Sequence, residues 1–186
     1  PALAAMTEES SVGANWTGAY GLALALAGDR DGAMAVLDRL DPPPLDYFWL
    51  VTTQCIAELV VELGRTDLAA SLRASLDPFR DHLGISASGS LCLGLVRTSL
   101  GQLAHLLGDH ASAIDLLEDA IAVADRMGAP YEATKARRAL VAARLGSGAS
   151  ADEVAGIIER ARSTAVEFGF EDELARLDRL ANAIDA

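Results

Sequence analysis

The sequence holds a single lysine, Lys135, in 186 residues, and its 15 basic side chains stand against 27 acidic ones, for a formal net charge of −12. A surface of that sign repels a phosphate backbone, so direct nucleic-acid binding is not expected. Aromatic residues are scarce too, 5% against a hydrophobic total of 51%. The interior must therefore be built from Ala, Leu, Val and Ile, which suits helices at close approach better than a β-sandwich. There are only two cysteines, Cys55 and Cys92, each in an apolar stretch. They read as buried free thiols of a reducing, cytoplasmic setting, not as a disulfide framework. The uncharged run Ser10 to Gly28 carries two serines, Asn15, Thr17 and four glycines, which argues against a membrane span. No basic segment followed by an apolar core opens the chain, so no secretory leader is expected. The first residue is Pro1, not Met, and an excerpt of a longer protein is expected.

What the sequence has in quantity is punctuation at regular intervals. In "LAGDRD", "ELGRTD", "LLGDHA" and "RLGSGA", Gly28, Gly64, Gly108 and Gly146 follow an apolar residue and precede a polar turn. Glycine ends a helix there because it accepts the left-handed conformation at little steric cost. The spacings, 36, 44 and 38 residues, are those of a repeat. Seven residues before each glycine stand Gly21, Ala57, Gly101 and Ala139; five after stand Ala33, Ala69, Ala113 and Ala151. All eight are small, as close crossing of two helices demands.

The chain thus reads as all-α: one domain, 1–186, of about four antiparallel helix pairs in a solenoid, closed by a capping helix. The pairs are expected over residues 12–41, 46–82, 91–127 and 130–168, with the cap at 171–185. "DPPPLD" stops the first pair, since proline cannot continue a helix. "GISASGS" (84–90) reads as a flexible connector, Pro130 opens a helix, and Ser150 with Glu153 forms a capping box. In the last segment Leu174, Leu177, Leu180 and Ile184 share one side, the pattern of a closing cap. No strand of useful length is expected.

The third unit matches the tetratricopeptide pattern at Gly101, Ala113 and Ala120, departing from it in a leucine-rich first helix and a longer second one. Residues 21–146, and most specifically "LG-x5-LG-x-LA-x2-LG" through Gly94, Gly101 and Gly108, resemble a wider group. It is the helical-repeat region of large bacterial regulators: LuxR-type ATP-dependent activators of the maltose-activator class, and related actinobacterial cyclase–ATPase fusions. The resemblance implies a sensor or scaffold segment in signal transduction and transcription regulation. ATP would belong to an upstream domain of such a parent: this chain has no G-x4-G-K-[ST] loop, and its lysine lies in "ATKARR".

Catalytic, cofactor and metal residues are not expected. His105 and His110 are five apart and read as surface or turn residues, because helical metal-binding histidines usually sit four apart with further ligands. Asp115, Glu118 and Asp119 read as a solvated acidic face. "YFWL" (47–50) gathers three of nine aromatics beside a triple proline; it either anchors the second pair against the first or forms the aromatic lip of a ligand groove. The expected function is a non-catalytic binding module for a protein, peptide or small effector, with no membrane. The alternatives are an oligomerisation segment, pairing as a homodimer through an exposed end, and, further off, an enzyme. If first helices line a concave side, the groove set is Gln54, Glu58, Val61 and Glu62, then Thr98, Gln102, His105 and Leu106, with Arg144 from the fourth pair.

Overall fold

A computed structural model describes residues 13–86, 89 and 91–184. Nine α-helices account for most of them: α1 (Gly13–Leu26), α2 (Arg30–Leu37), α3 (Trp49–Leu63), α4 (Thr66–Leu76), α5 (Val96–Leu106), α6 (His110–Met127), α7 (Pro130–Gly146), α8 (Ala151–Phe168) and α9 (Glu171–Ile184). The protein is essentially all-α, and none of the described helices is long and apolar enough to cross a membrane. The exception to the helical plan is a small antiparallel hairpin, β1 (Leu83–Ile85) with β2 (Cys92–Leu95). Where the sequence reads as one continuous array, the chain divides into two compact units, Pro1–Ser99 and Leu100–Ala186.

Six helices stop the same way. At Gly28, Gly64, Gly108, Gly128, Gly148 and Gly169 φ lies between +65° and +96°. Each of these glycines donates its N–H to the carbonyl three residues back, and the next residue donates to the carbonyl five back. This pairing satisfies carbonyls that the end of a helix leaves without partners. The fourth repeat is corrected by it: the turn is made by Gly148, whereas Gly146 is still the last residue of α7. The small-position register slips accordingly. Ala151 is exposed at the first turn of α8, and the buried residue one turn in is Val154.

The other small positions pack as expected. In the first unit α1 lies against α2 and α3. A Cβ on Gly21 would stand 2.7 Å from Leu59 Cδ2 and 3.0 Å from Val36 Cγ1, and one on Gly18 2.8 Å from Ile56 Cγ1. Ala33, Ala57 and Ala69 are buried. In the second unit Ala104, Ala113, Leu117, Ala139, Leu140 and Ala143 form a core flanked by Ile114, Ile121 and Ile157. Gly101 meets Leu117, one turn beyond the expected Ala113: its Cβ would be 2.5 Å from Leu117 Cγ.

Helix starts follow side-chain chemistry. Asp29 Oδ1 accepts from the Gly32 N–H at 2.9 Å and Asp109 Oδ1 from the Ser112 N–H at 3.2 Å. At α8 the Ser150 N–H donates to Glu153 Oε2 at 2.7 Å. That bond, with the Ser150 hydroxyl second, holds the Glu153 carboxyl below the usual carboxylate range.

Four boundaries differ from expectation, one of them the end of α4 at Leu76, where a short 3-10 turn (Asp77–Phe79) stands in place of helix to 82. α2 ends at Leu37, not near 41, and α3 begins at Trp49, not 46. Pro42 disfavours helical geometry in the residue before it, while Asp46 Oδ1 takes the Phe48 N–H at 2.8 Å and delays the next helix. Residues 92–95, expected within the first helix of the third pair, form strand β2. Gly94 at φ +91° and an irregular register between Leu83↔Leu95 and Ile85↔Cys92 mark a bulge, a site where glycine is favoured. Cys92 on this strand is exposed, contrary to expectation, while Cys55 is buried.

α9 is fixed by charge as well as by Leu177. Arg138 Nε donates to Glu173 Oε2 at 2.7 Å, and Glu173 is only 2% exposed.

Two pairs of variants check this packing. Gly101→Leu is expected to lose roughly 1–3 kcal/mol or more in urea unfolding, since overpacking of that order outweighs about 1 kcal/mol of helix propensity gained. Ala151→Leu, at the exposed position, should stay within about 0.5 kcal/mol of the parent. Glu173→Ala leaves Arg138 without its buried partner and is expected to cost about 3 kcal/mol. Glu171→Ala, exposed in the same turn, should cost no more than about 0.5 kcal/mol.

Candidate functional site

Several of the residues expected to line a concave groove are closed to solvent. Gln54 and Thr98 are closed to solvent and Gln102 nearly so, while Glu58 is half-buried and Glu62 exposed. In the first unit the reason is the hairpin that the sequence did not foretell. β1 and β2 pack on α3, and Gly84 sits directly over Gln54 Oε1, leaving no space for a side chain. Gln54 Nε2 donates to Ser99 Oγ at 3.2 Å. Val61 is half-buried beside this covered face.

In the second unit Leu106 and His105 are half-buried, and Arg144 donates to Glu118 Oε1 at 2.5 Å. Glu118, read as part of a solvated acidic face, is therefore paired. His105 and His110 are not separate surface residues: their Nδ1 atoms are 3.2 Å apart. A Cβ on Gly146 would stand 2.7 Å from His110 Cε1 and 3.0 Å from His105 Cε1, so the end of α7 rests on both rings. Burial, and then the neighbouring charge of His110, push His105 below the usual imidazole value. Among the described residues no three metal-ligating side chains come together.

An open site lies on the opposite side of α3, within the first unit. Trp49, Thr53 and Ile56, at successive turns of α3, form one wall of a groove of about 460 Å³. Leu68, Ser71, Leu72 and Ser75 of α4 form the second. The third comes from the end of α2 (Leu37, Asp38) and the segment after it (Leu40 to Pro43). The groove exists because α2 is short. Its eight residues rise about 12 Å against about 16 Å for the eleven of α4, so proline-bounded loop replaces the missing turn of helix.

The hydroxyls of this groove are spent on their own helices. Thr53 Oγ1 donates to the Trp49 carbonyl at 2.7 Å, Ser71 Oγ to that of Leu68 at 2.9 Å and Ser75 Oγ to that of Ser71 at 2.9 Å. The floor is therefore apolar and charge is confined to the rim. Arg65, the residue preceding α4, reaches Asp38 Oδ1 at 2.5 Å and grips both oxygens of Asp67 at 2.8 Å. Hydrogen bonds to Asp67 and then Asp38 raise Arg65 above its ordinary value, and Arg65 lowers Asp67.

Of "YFWL", Trp49 lines this groove beside Pro42 and Pro43 and packs on Phe79, with ring centroids 5.1 Å apart. Phe48 faces a separate cavity of about 40 Å³, and Tyr47 is exposed. The aromatic-lip alternative thus has a groove to serve. Asp38, Asp41 and Arg65 escaped sequence reasoning because they lie in or beside turns; the available signal was the acidic pair Asp38 and Asp41 just before the prolines.

No protein-family model, curated protein or solved structure matches this chain.

The histidine pair sets a pH dependence. Folding holds His105 below its unfolded value of about 6.5, so the unfolded chain binds more protons in that interval. The resulting stability is complete above pH 6.5 and is lost as pH falls from there through the depressed folded value. Melting temperature is expected to fall between pH 7.5 and 5.5, and His105→Gln should flatten the slope.

Proposed function

We propose that the chain is a non-catalytic binding module built from repeated helical hairpins, and that the groove between α2, α3 and α4 receives its ligand. The observation that carries this reading is the make-up of the groove. Its volume of about 460 Å³ falls within the range of small-molecule sites, which are mainly apolar with a few placed polar groups. Its hydroxyls are engaged with helix carbonyls and its guanidinium with two carboxylates. Such an arrangement offers shape and charge; it does not set a nucleophile beside a base.

The resemblance of residues 21–146 to the repeat region of LuxR-type ATP-dependent regulators and cyclase–ATPase fusions supports the same reading at the level of the whole protein. In that setting the segment takes up a small effector in the cytoplasm and passes the event to neighbouring domains.

Replacing Trp16, the other tryptophan, by Phe makes Trp49 the sole tryptophan reporter. Titration of Trp16→Phe with Nile red, an uncharged apolar probe, should quench or shift Trp49 emission with saturation. Adding Ser75→Phe, which fills the groove from an exposed position, should weaken that binding at least tenfold with little change in melting temperature. Unchanged affinity in the filled variant would remove the groove from consideration.

A further inference from the structure

We infer that the groove selects an organic cation with an apolar body. The inference rests on the groove being the binding site and adds the charge of the ligand.

The rim carries more negative than positive charge. Asp38 and Asp41 both line it, and Asp67 stands just behind Arg65. The rim thus carries three carboxylates against one guanidinium, which two of them, Asp38 and Asp67, engage. Arg39, between the two rim aspartates in sequence, is exposed and does not line the groove. Among the described residues Asp41 has no ion-pair partner, so its charge is available at the mouth.

Among the described residues that line the groove the one cation, Arg65, is poorly placed to receive an anion. Arg65 directs Nη1 at Asp38, and Nε and Nη2 at Asp67, over 2.5–2.8 Å. An anionic ligand would have to displace a carboxylate already held in a two-point grip, under two further negative charges. A cation meets the reverse conditions. Asp41 and the remaining oxygen of Asp38 attract it, and Trp49 lines the groove as an aromatic ring of the kind that attracts a cation. Its apolar body replaces water along Leu37, Ile56, Leu68 and Leu72, the non-directional part of the affinity.

Tetraphenylphosphonium, tetraphenylborate and triphenylphosphine oxide make the test, being similar in shape and respectively positive, negative and neutral. In the Trp16→Phe background at low salt, quenching of Trp49 should show the phosphonium binding about tenfold more tightly than the borate, with the oxide between them. Asp41→Asn should weaken the phosphonium about threefold and leave the oxide unchanged, and added salt should narrow the preference. Ser75→Phe should abolish all three. Borate binding as tightly as phosphonium, or an Asp41→Asn variant that weakens both equally, would overturn the cation inference while leaving the groove as a binding site. Absence of saturable quenching by any of the three, or binding indifferent to Ser75→Phe, would overturn the groove itself.

Discussion

Helix termination is the constraint on which this structure turns. A helix end leaves several carbonyls without partners, and in a small aliphatic protein few polar side chains stand ready to serve them. Here the backbone serves them itself, by folding back through one left-handed residue, and glycine makes that fold at little cost. Six helices end on this device. The direction in which the chain leaves each helix, and hence the face the next helix presents, follows from it. Close approach is then permitted by the absence of side chain at Gly18, Gly21 and Gly101. The three glycines of the "LG-x5-LG-x-LA-x2-LG" run show the economy of this plan. Gly94 makes a strand bulge, Gly101 a close crossing and Gly108 a helix stop.

That economy also explains what was legible beforehand. Helix order and most helix ends could be read because turn glycines and capping residues act within a few positions of themselves. Gly146 misled because "GSG" offers two glycines, and only the hydrogen bonds of the turn say which adopts positive φ. The hairpin escaped notice because "LCLGL" is too short to show a strand period and because its partner strand is three residues long. It is held on α3 by a contact with Gln54 that no local pattern announces. In the first unit the covering of the expected groove face followed from that one omission, and the face on the other side of the helix was left open.

The open groove is a product of interruption. A longer α2 would have packed against α3 and α4 and closed the space with side chains, as helices normally do. The prolines prevent this by ending helical geometry, and they are rigid enough to stand as a wall themselves. The triple proline and the aromatics beside it are plain in the sequence, so the location was visible there. The chemistry of its rim was not, because Asp38, Asp41 and Arg65 meet only when the two hairpins are brought side by side.

The seating of Gly84 on the amide of Gln54 binds together two positions thirty residues apart. Any side chain at 84 would occupy the space of the Gln54 amide, and shortening residue 54 would withdraw the donor from Ser99. Neither position can drift alone. In lineages of this protein, replacement of the glycine should travel with a smaller residue at 54 and an altered partner at 99. Those three sites would then vary as a set while the exposed surface around them diverges freely.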